Sequence, residues 1–238
     1  MDIDRRILVV DAPDGALQQL SLDLMGSQFG VHYATGMDEA KLLARDVHGK
    51  ILAVLFSTET EIGRIPDIAK ALGVETKSLI PVGERPAKRV IAALAFHGVR
   101  WHLWDNPPNE SLRFVLSSLL YDHDPFELRY HLRIPTHLAA QIEVEGEKHA
   151  TSIRDIGLGG ACLFGGVIGG EDARADILFE VSDSEIRLPV RVAWSSGNDS
   201  PETNVTGVAF VEVEPEAGDA IDTLRRGFVE RHRIEKPA

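Results

Sequence analysis

The period of the hydrophobic pattern changes once, near the middle of the chain, and that change limits the folds open to it. Up to about Asp122, short apolar β-branched runs alternate with segments of helical period. This is the pattern of an open parallel sheet covered by helices, whose strands are buried on both faces. Strands are expected at Arg6 to Asp11, Gly30 to Ala34, Ile51 to Ser57, Ser78 to Val82 and Val99 to Trp104. Between them Leu17, Leu20 and Leu24 form one helical stripe, Ile65, Ile68, Ala69 and Leu72 a second, and Leu112, Val115, Leu116, Leu119 and Leu120 the strongest. Gly73 and Gly98 stand where helices stop. From about His137 the apolar residues alternate at period two between glycine-rich turns, with strands expected at Leu138 to Val144, Lys148 to Asp155, Gly160 to Leu163, Ala175 to Val181, Glu185 to Trp194 and Thr203 to Phe210. Six short antiparallel strands suit a small closed barrel. A last helix follows Pro215, with Ala217, Ile221, Leu224 and Phe228 on one face and Arg225, Arg226 and Arg231 outside it.

The expected fold class is therefore two-domain. An amino-terminal α/β domain with a flavodoxin-like (βα)5 parallel sheet spans residues 1–122, a short linker 123–128, and a six-stranded antiparallel β-barrel with a carboxy-terminal helix 129–232. The chain length of 238 residues accommodates two such domains. With 37 acidic and 25 basic residues the net charge is −12, of which −9 falls after Asp122. Duplex DNA binding through a global positive field is disfavoured, and an anionic ligand must be met by a local basic cluster. The lone cysteine, Cys162, excludes an internal disulfide and any zinc site built on several thiolates. No apolar run approaches the length of a membrane helix, and the first residues do not resemble a signal peptide, so a cytoplasmic protein without membrane insertion is expected.

One local cluster meets the requirement for anion binding. Arg129-Tyr-His-Leu-Arg133 opens the barrel half, and Asp155-Ile-Gly-Leu-Gly-Gly160 begins 22 residues past its second arginine. Two guanidinium forks four residues apart can close over a phosphate, pair with the O6/N7 edge of guanine or stack on a base. A carboxylate can accept from the N1 and N2 hydrogens of the same guanine. The combination suits a ligand that is at once guanine and phosphodiester, although an arbitrary pair of arginines at this spacing is most often merely solvated.

These residues resemble the PilZ family, whose signature is R-x-x-x-R followed by [D/N]-x-S-x-x-G on a six-stranded barrel. Arg133-Ile-Pro135, Val192-Ala-Trp194 and Gly207-Val-Ala-Phe210 extend the resemblance, which covers roughly Phe126 to Arg231. It implies a receptor for cyclic di-GMP in which Arg129, Arg133, Asp155, Gly157 and Gly160 line the ligand, with no metal and no further cofactor. Gly157 departs from the family, which carries serine there. A lost hydroxyl hydrogen bond costs about 1 kcal/mol unless a backbone N–H or a water replaces it. Leu128 offers no further guanidinium before the motif, which points to one ligand molecule per chain. Strand alternation is expected to turn Arg154 to the face opposite Asp155. Cys162 is expected to be a small buried apolar residue, and Trp194 to lie in the core or at the barrel rim.

The first half resembles a response-regulator receiver, beginning with Ile7-Leu-Val-Val-Asp11. That family implies a phospho-accepting aspartate at the end of the third strand, Mg²⁺ held by acids, and a hydroxyl and a lysine for the phosphoryl group. Here the acceptor position holds Ser57 or Phe56, Ala12 follows Asp11, Val82-Gly83-Glu84 supplies no hydroxyl, and Asn106 stands before Pro107 where receivers carry lysine. Asp14 is better suited to capping a helix than to holding a metal. The resemblance thus implies a pseudo-receiver that works by contact, through the helices at Pro86 to His97 and Asn109 to Tyr121. A protein partner is expected there, and homodimerisation through the same helices is the other option. No nucleophile elbow, Walker loop or zinc-binding histidine pair is present, so the chain is not expected to be an enzyme. The expected function is a cyclic di-GMP effector in which the ligand reorients the receiver-like domain. Its rivals are a nucleotide-free PilZ scaffold and a phosphorylation-driven regulator.

Overall fold

The computed structural model describes residues 5–12, 15–25, 29–46, 50–58, 65–106, 108–123, 133–165, 169–182, 184–196 and 204–234. The chain divides into two compact units, Met1–Pro125 together with His232–Ala238, and Phe126–Arg231.

In the first unit β1 (Arg5–Asp11), β2 (Gly30–Thr35), β3 (Lys50–Ser57), β4 (Leu79–Gly83) and β5 (Leu103–Trp104) make a five-stranded sheet in the order β2-β1-β3-β4-β5. Every pairing in it is parallel. The helices are α1 (Gln18–Met25), α2 (Met37–Asp46), α3 (Ile65–Leu72), α4 (Lys88–Phe96) and α5 (Asn109–His123). This is the doubly wound order expected from the alternating pattern. The unbroken apolar runs of β1 and β3 become its centre: Ile7 to Val10 and Ala53 to Phe56 are almost wholly out of solvent. The four-residue stripe of α3 is buried along its length, whereas α2, which carries no comparable stripe, buries fully only Ala40.

β5 is shorter than the run from Val99 suggests, because the residues before it bond to the end of the chain. Trp101 bridges Arg233 in antiparallel fashion, His102 N–H donates to the His232 carbonyl (3.0 Å), and Ile234 N–H donates to the Arg100 carbonyl (2.8 Å). Ile234 is thereby buried in the core with Leu94, Val99 and Trp104. The tail is part of the α/β unit although it directly follows the last helix of the barrel unit.

In the second unit β6 (Ile134–Val144), β7 (Glu147–Gly157), β8 (Gly160–Phe164), β9 (Arg174–Val181), β10 (Ser184–Ser195) and β11 (Val205–Phe210) close into a barrel in the order β10-β11-β8-β7-β6-β9. Alternation is clearest on β10, where Ile186, Leu188, Val190 and Val192 are buried and Arg187 and Arg191 are exposed. Arg187 pairs outside the barrel with Asp176 at 2.6 Å. The β6–β7 hairpin turns on Glu145 and Gly146, both at positive φ (53° and 87°), the primed geometry that matches strand twist. β6 begins at Ile134, earlier than the alternation alone indicates, and takes Pro135 into the sheet opposite Asp155. The helix α6 (Pro215–His232) buries Ala217, Ile221 and Phe228. Arg226 lies outside as expected, but Arg225 flanks the stripe. Its side chain is only 21% exposed and pairs with Asp222 at 3.3 Å. Among the described residues no helix is long and apolar enough to cross a membrane.

Truncating Ile234 to alanine should destabilise the α/β unit by about 2–5 kcal/mol, the usual cost of emptying a buried isoleucine site. The check is the urea midpoint of the full chain followed by Trp101 and Trp104 fluorescence, against Val211→Ala, an exposed position.

Candidate ligand site on the barrel

Three strand ends build the site. Arg133 immediately precedes β6, Asp155 and Gly157 close β7, and Gly160 opens β8. Register sets Pro135 opposite Asp155 and Gly157 opposite Gly160, with Leu158 and Gly159 turning between the strands. Arg133 Nη1 donates to Asp155 Oδ1 at 3.2 Å, both side chains being partly buried. Such a half-exposed pair contributes little to stability by itself. Its effect is positional: one face of the guanidinium fork is occupied, and its remaining N–H groups stay available to an anion. Arg129 and Leu128 lie outside the described residues.

The glycines serve backbone approach. A Cβ on Gly160 would overlap the Val208 carbonyl of β11, so β8 can lie this close to its neighbour only without a side chain there. Gly157 is buried at the end of β7 and brings no hydroxyl to the site. Trp194 is half-exposed at the rim, with its indole lying over Gly207, where a Cβ would meet the ring. Cys162 sits opposite Asp155 and is buried. Burial first, and then the Asp155 carboxylate to which the thiol donates, push its pKa up to about 11, against the opposing pull of Arg154 and Arg133. The thiol is therefore protonated at neutral pH and acts as a small packing residue, not a nucleophile.

Arg154 departs from simple alternation. β7 carries one residue more than β8 between Ile153, opposite Leu163, and Asp155, opposite Cys162. The inward positions consequently step from Ile153 to Ile156, both fully buried, instead of from 153 to 155. This bulge leaves Arg154 and Asp155 consecutively outside the core, so the expectation that Arg154 faces away from Asp155 is corrected. Thr136 secures the irregularity from β6 by donating to the Ile153 carbonyl at 2.7 Å.

The carboxyl ends of the α/β strands carry the other group of polar residues singled out in the sequence. Asp11 is 1% exposed. Its carboxylate accepts from Ala12 N–H (2.8 Å), Leu17 N–H (2.8 Å) and the Tyr33 hydroxyl (2.7 Å). Nearly all its acceptor capacity is spent on joining β1 to the start of α1 and to β2. Phe56 lies in the hydrophobic core and Ser57 is buried at the strand end. Asp14 and Pro107 lie outside the described residues. The sequence reading missed the hydroxyl of Thr58, which donates to the Glu84 carbonyl at 3.2 Å. Asp105 and Asn106 both take positive φ, and Asp105 Oδ1 accepts from Arg85 N–H at 3.2 Å. Among the described residues no group of three or more His, Cys, Asp and Glu side chains could hold a metal ion.

His102 stacks on Trp104 with ring centroids 3.7 Å apart. Burial, with His232 and Arg85 adding to it, lowers its pKa to about 4, while Asp105 opposes the shift. A histidine held neutral in the folded state stabilises that state fully above its unfolded pKa. The contribution is lost as pH falls towards the folded value.

Residues 127–227 match the PilZ domain family, and this part of the chain is a PilZ domain. Among solved structures the chain is similar to the Bacillus subtilis inhibitor of motility (MotI/DgrA), at 18% identity and a TM-score of 0.38, over 44% of this chain and 54% of that one. It is also similar to the PilZ domain of Escherichia coli YcgR with c-di-GMP, at 16% identity and a TM-score of 0.36, over 44% and 97%. A third is Borreliella burgdorferi PlzA in complex with c-di-GMP, at 22% identity and a TM-score of 0.33, over 50% and 49%. The chain thus spans about half the length of the first and the third. No curated protein matches it.

Two outcomes follow for the α/β unit. Asp11→Ala strands two buried N–H groups and a hydroxyl, and should lower unfolding free energy by about 2–4 kcal/mol in urea titrations. Stability should decline as pH falls from about 6.5 to about 4, and His102→Phe should flatten that part of the profile, measured as thermal midpoints across the range.

Proposed function

We propose that the chain is a cyclic di-GMP receptor of bacterial signalling, acting in the cytoplasm by contact and not by catalysis. The observation that carries this reading is the Arg133–Asp155 pair, set beside Gly157 and Gly160 at one end of a PilZ barrel. Arg133 presents its free N–H groups to a phosphodiester oxygen or to guanine O6/N7. Asp155, oriented by that arginine, accepts from the guanine N1 and N2 hydrogens. Arg129, four residues earlier, closes over the second side of the ligand. Gly157 contributes a backbone N–H in place of the serine hydroxyl.

Because the arginine segment adjoins the start of the barrel unit at Phe126, closing Arg129 to Arg133 over a ligand would alter the disposition of the receiver-like domain. The ligand shifts that equilibrium only by its different affinity for the two arrangements. The output is contact with a protein partner through the α/β domain. The spent carboxylate of Asp11 supports a domain that signals without taking a phosphoryl group. A net charge of −12 supports a protein partner over duplex DNA.

One observation favours a second reading: Gly157 leaves the site without the family's hydroxyl, as expected of a PilZ domain kept as a ligand-free scaffold. Calorimetric titration of cyclic di-GMP into the native protein and into Arg129→Ala/Arg133→Ala, with GMP as control, separates the two. Saturable binding abolished in the double variant is the expected result. No heat and no thermal shift with the native protein would overturn the receptor reading in favour of the scaffold.

A further inference from the structure

The bulge in β7 has a consequence for ligand chemistry. An extra residue in one strand re-aims the side chains beside it, and here it sets Arg154 next to Asp155 outside the barrel core. The Arg154 side chain is neither buried nor fully exposed, and among the described residues it forms no hydrogen bond or ion pair. The neighbouring carboxylate, Asp155, accepts instead from Arg133 through Oδ1. The bulge leaves Arg154 and Asp155 consecutively outside the core, and Arg133 holds Asp155 there, so both guanidinium groups flank the same carboxylate. Two arginines therefore meet one carboxylate at this end of the barrel, leaving a local positive excess in the half of the chain that carries −9. Permanently charged guanidinium groups are not drawn to one spot by burial alone, since like charges repel. A clustered, unpaired guanidinium is suited to an anion brought from outside.

We propose that Arg154 is a further ligand-binding residue, contacting a phosphate of the bound cyclic dinucleotide. The proposal rests on the receptor reading above. Arg154 supplies a charge-assisted contact from β7 that does not depend on Gly157, and so offsets the missing serine hydroxyl from three residues earlier on the same strand. A strand carries it, so its contribution is already in place before the ligand arrives. The planar fork matters as well as the charge, because a phosphate oxygen pair is met bidentately by arginine and only at one point by lysine.

The test is calorimetry of cyclic di-GMP with the full chain as Arg154→Ala, Arg154→Lys and Arg174→Ala. The last removes the same charge from the exposed start of β9. Loss of the Arg154 fork should weaken binding about ten- to hundredfold. Lysine should recover part of that loss and Arg174→Ala should leave affinity within about twofold. Thermal midpoints without ligand should be the same for all variants, since Arg154 has no protein partner to lose. Native affinity in both Arg154→Ala and Arg154→Lys, with binding still abolished in Arg129→Ala/Arg133→Ala, would overturn the role of Arg154 and leave the receptor intact. Equal weakening by Arg154→Ala and Arg174→Ala would overturn it too, reducing it to general charge. Failure of the native protein to bind would instead overturn the receptor reading itself.

Discussion

One additional residue in β7 determines what the barrel can present at this end. A strand has a strict period of two, so without the bulge Ile153 and Asp155 would share the inward face and a carboxylate would enter the core beside Ile134. Burying that charge would cost far more than the strand pairing returns. With the bulge, Ile153 and Ile156 both reach the core, and Asp155 emerges where Arg133 can hold it. The ion pair, the orientation of the carboxylate and the placement of Arg154 all depend on that irregularity. Thr136, bonded to the Ile153 carbonyl, fixes it from the neighbouring strand.

The two glycines of the second motif divide their work by position. Gly160 is demanded by the fold: β8 passes so close to β11 that no side chain fits. Gly157, at the end of β7, is buried. It stands where the family has a serine. Cys162 lies under the same surface, and its raised pKa makes it chemically quiet there.

In the α/β unit, the residue that most resembles a phosphoryl-site acid has been turned to structural use. Asp11 stitches β1 to α1 and β2 through three short hydrogen bonds, one of them from Tyr33, 22 residues away. A carboxylate so occupied could take a cation only by releasing buried N–H groups, at a cost of the order of the contacts themselves. The same unit recruits the end of the chain: Ile234 completes its core and donates to the Arg100 carbonyl, and the His232 carbonyl accepts from His102 N–H.

Much of this was legible in the sequence, because two of its signals are purely local. The change from helical period to period two separates the α/β unit from the barrel, and the spacing of Arg133, Asp155 and Gly160 marks the strand ends that carry the site. The first follows from geometry that repeats every few residues, and the second from the resemblance of those residues to the PilZ signature, so no tertiary contact is needed to see either. The bulge at Arg154, the course of Ile234 into the α/β core and the partnership of Tyr33 with Asp11 were settled only by the tertiary structure. Each depends on which distant backbone or side chain arrives opposite, and strand register and chain return are properties of the packed molecule. Periodicity predicts which face a residue takes while the period holds; at Arg154 it breaks, and packing of Ile153 and Ile156 into one core decides the outcome.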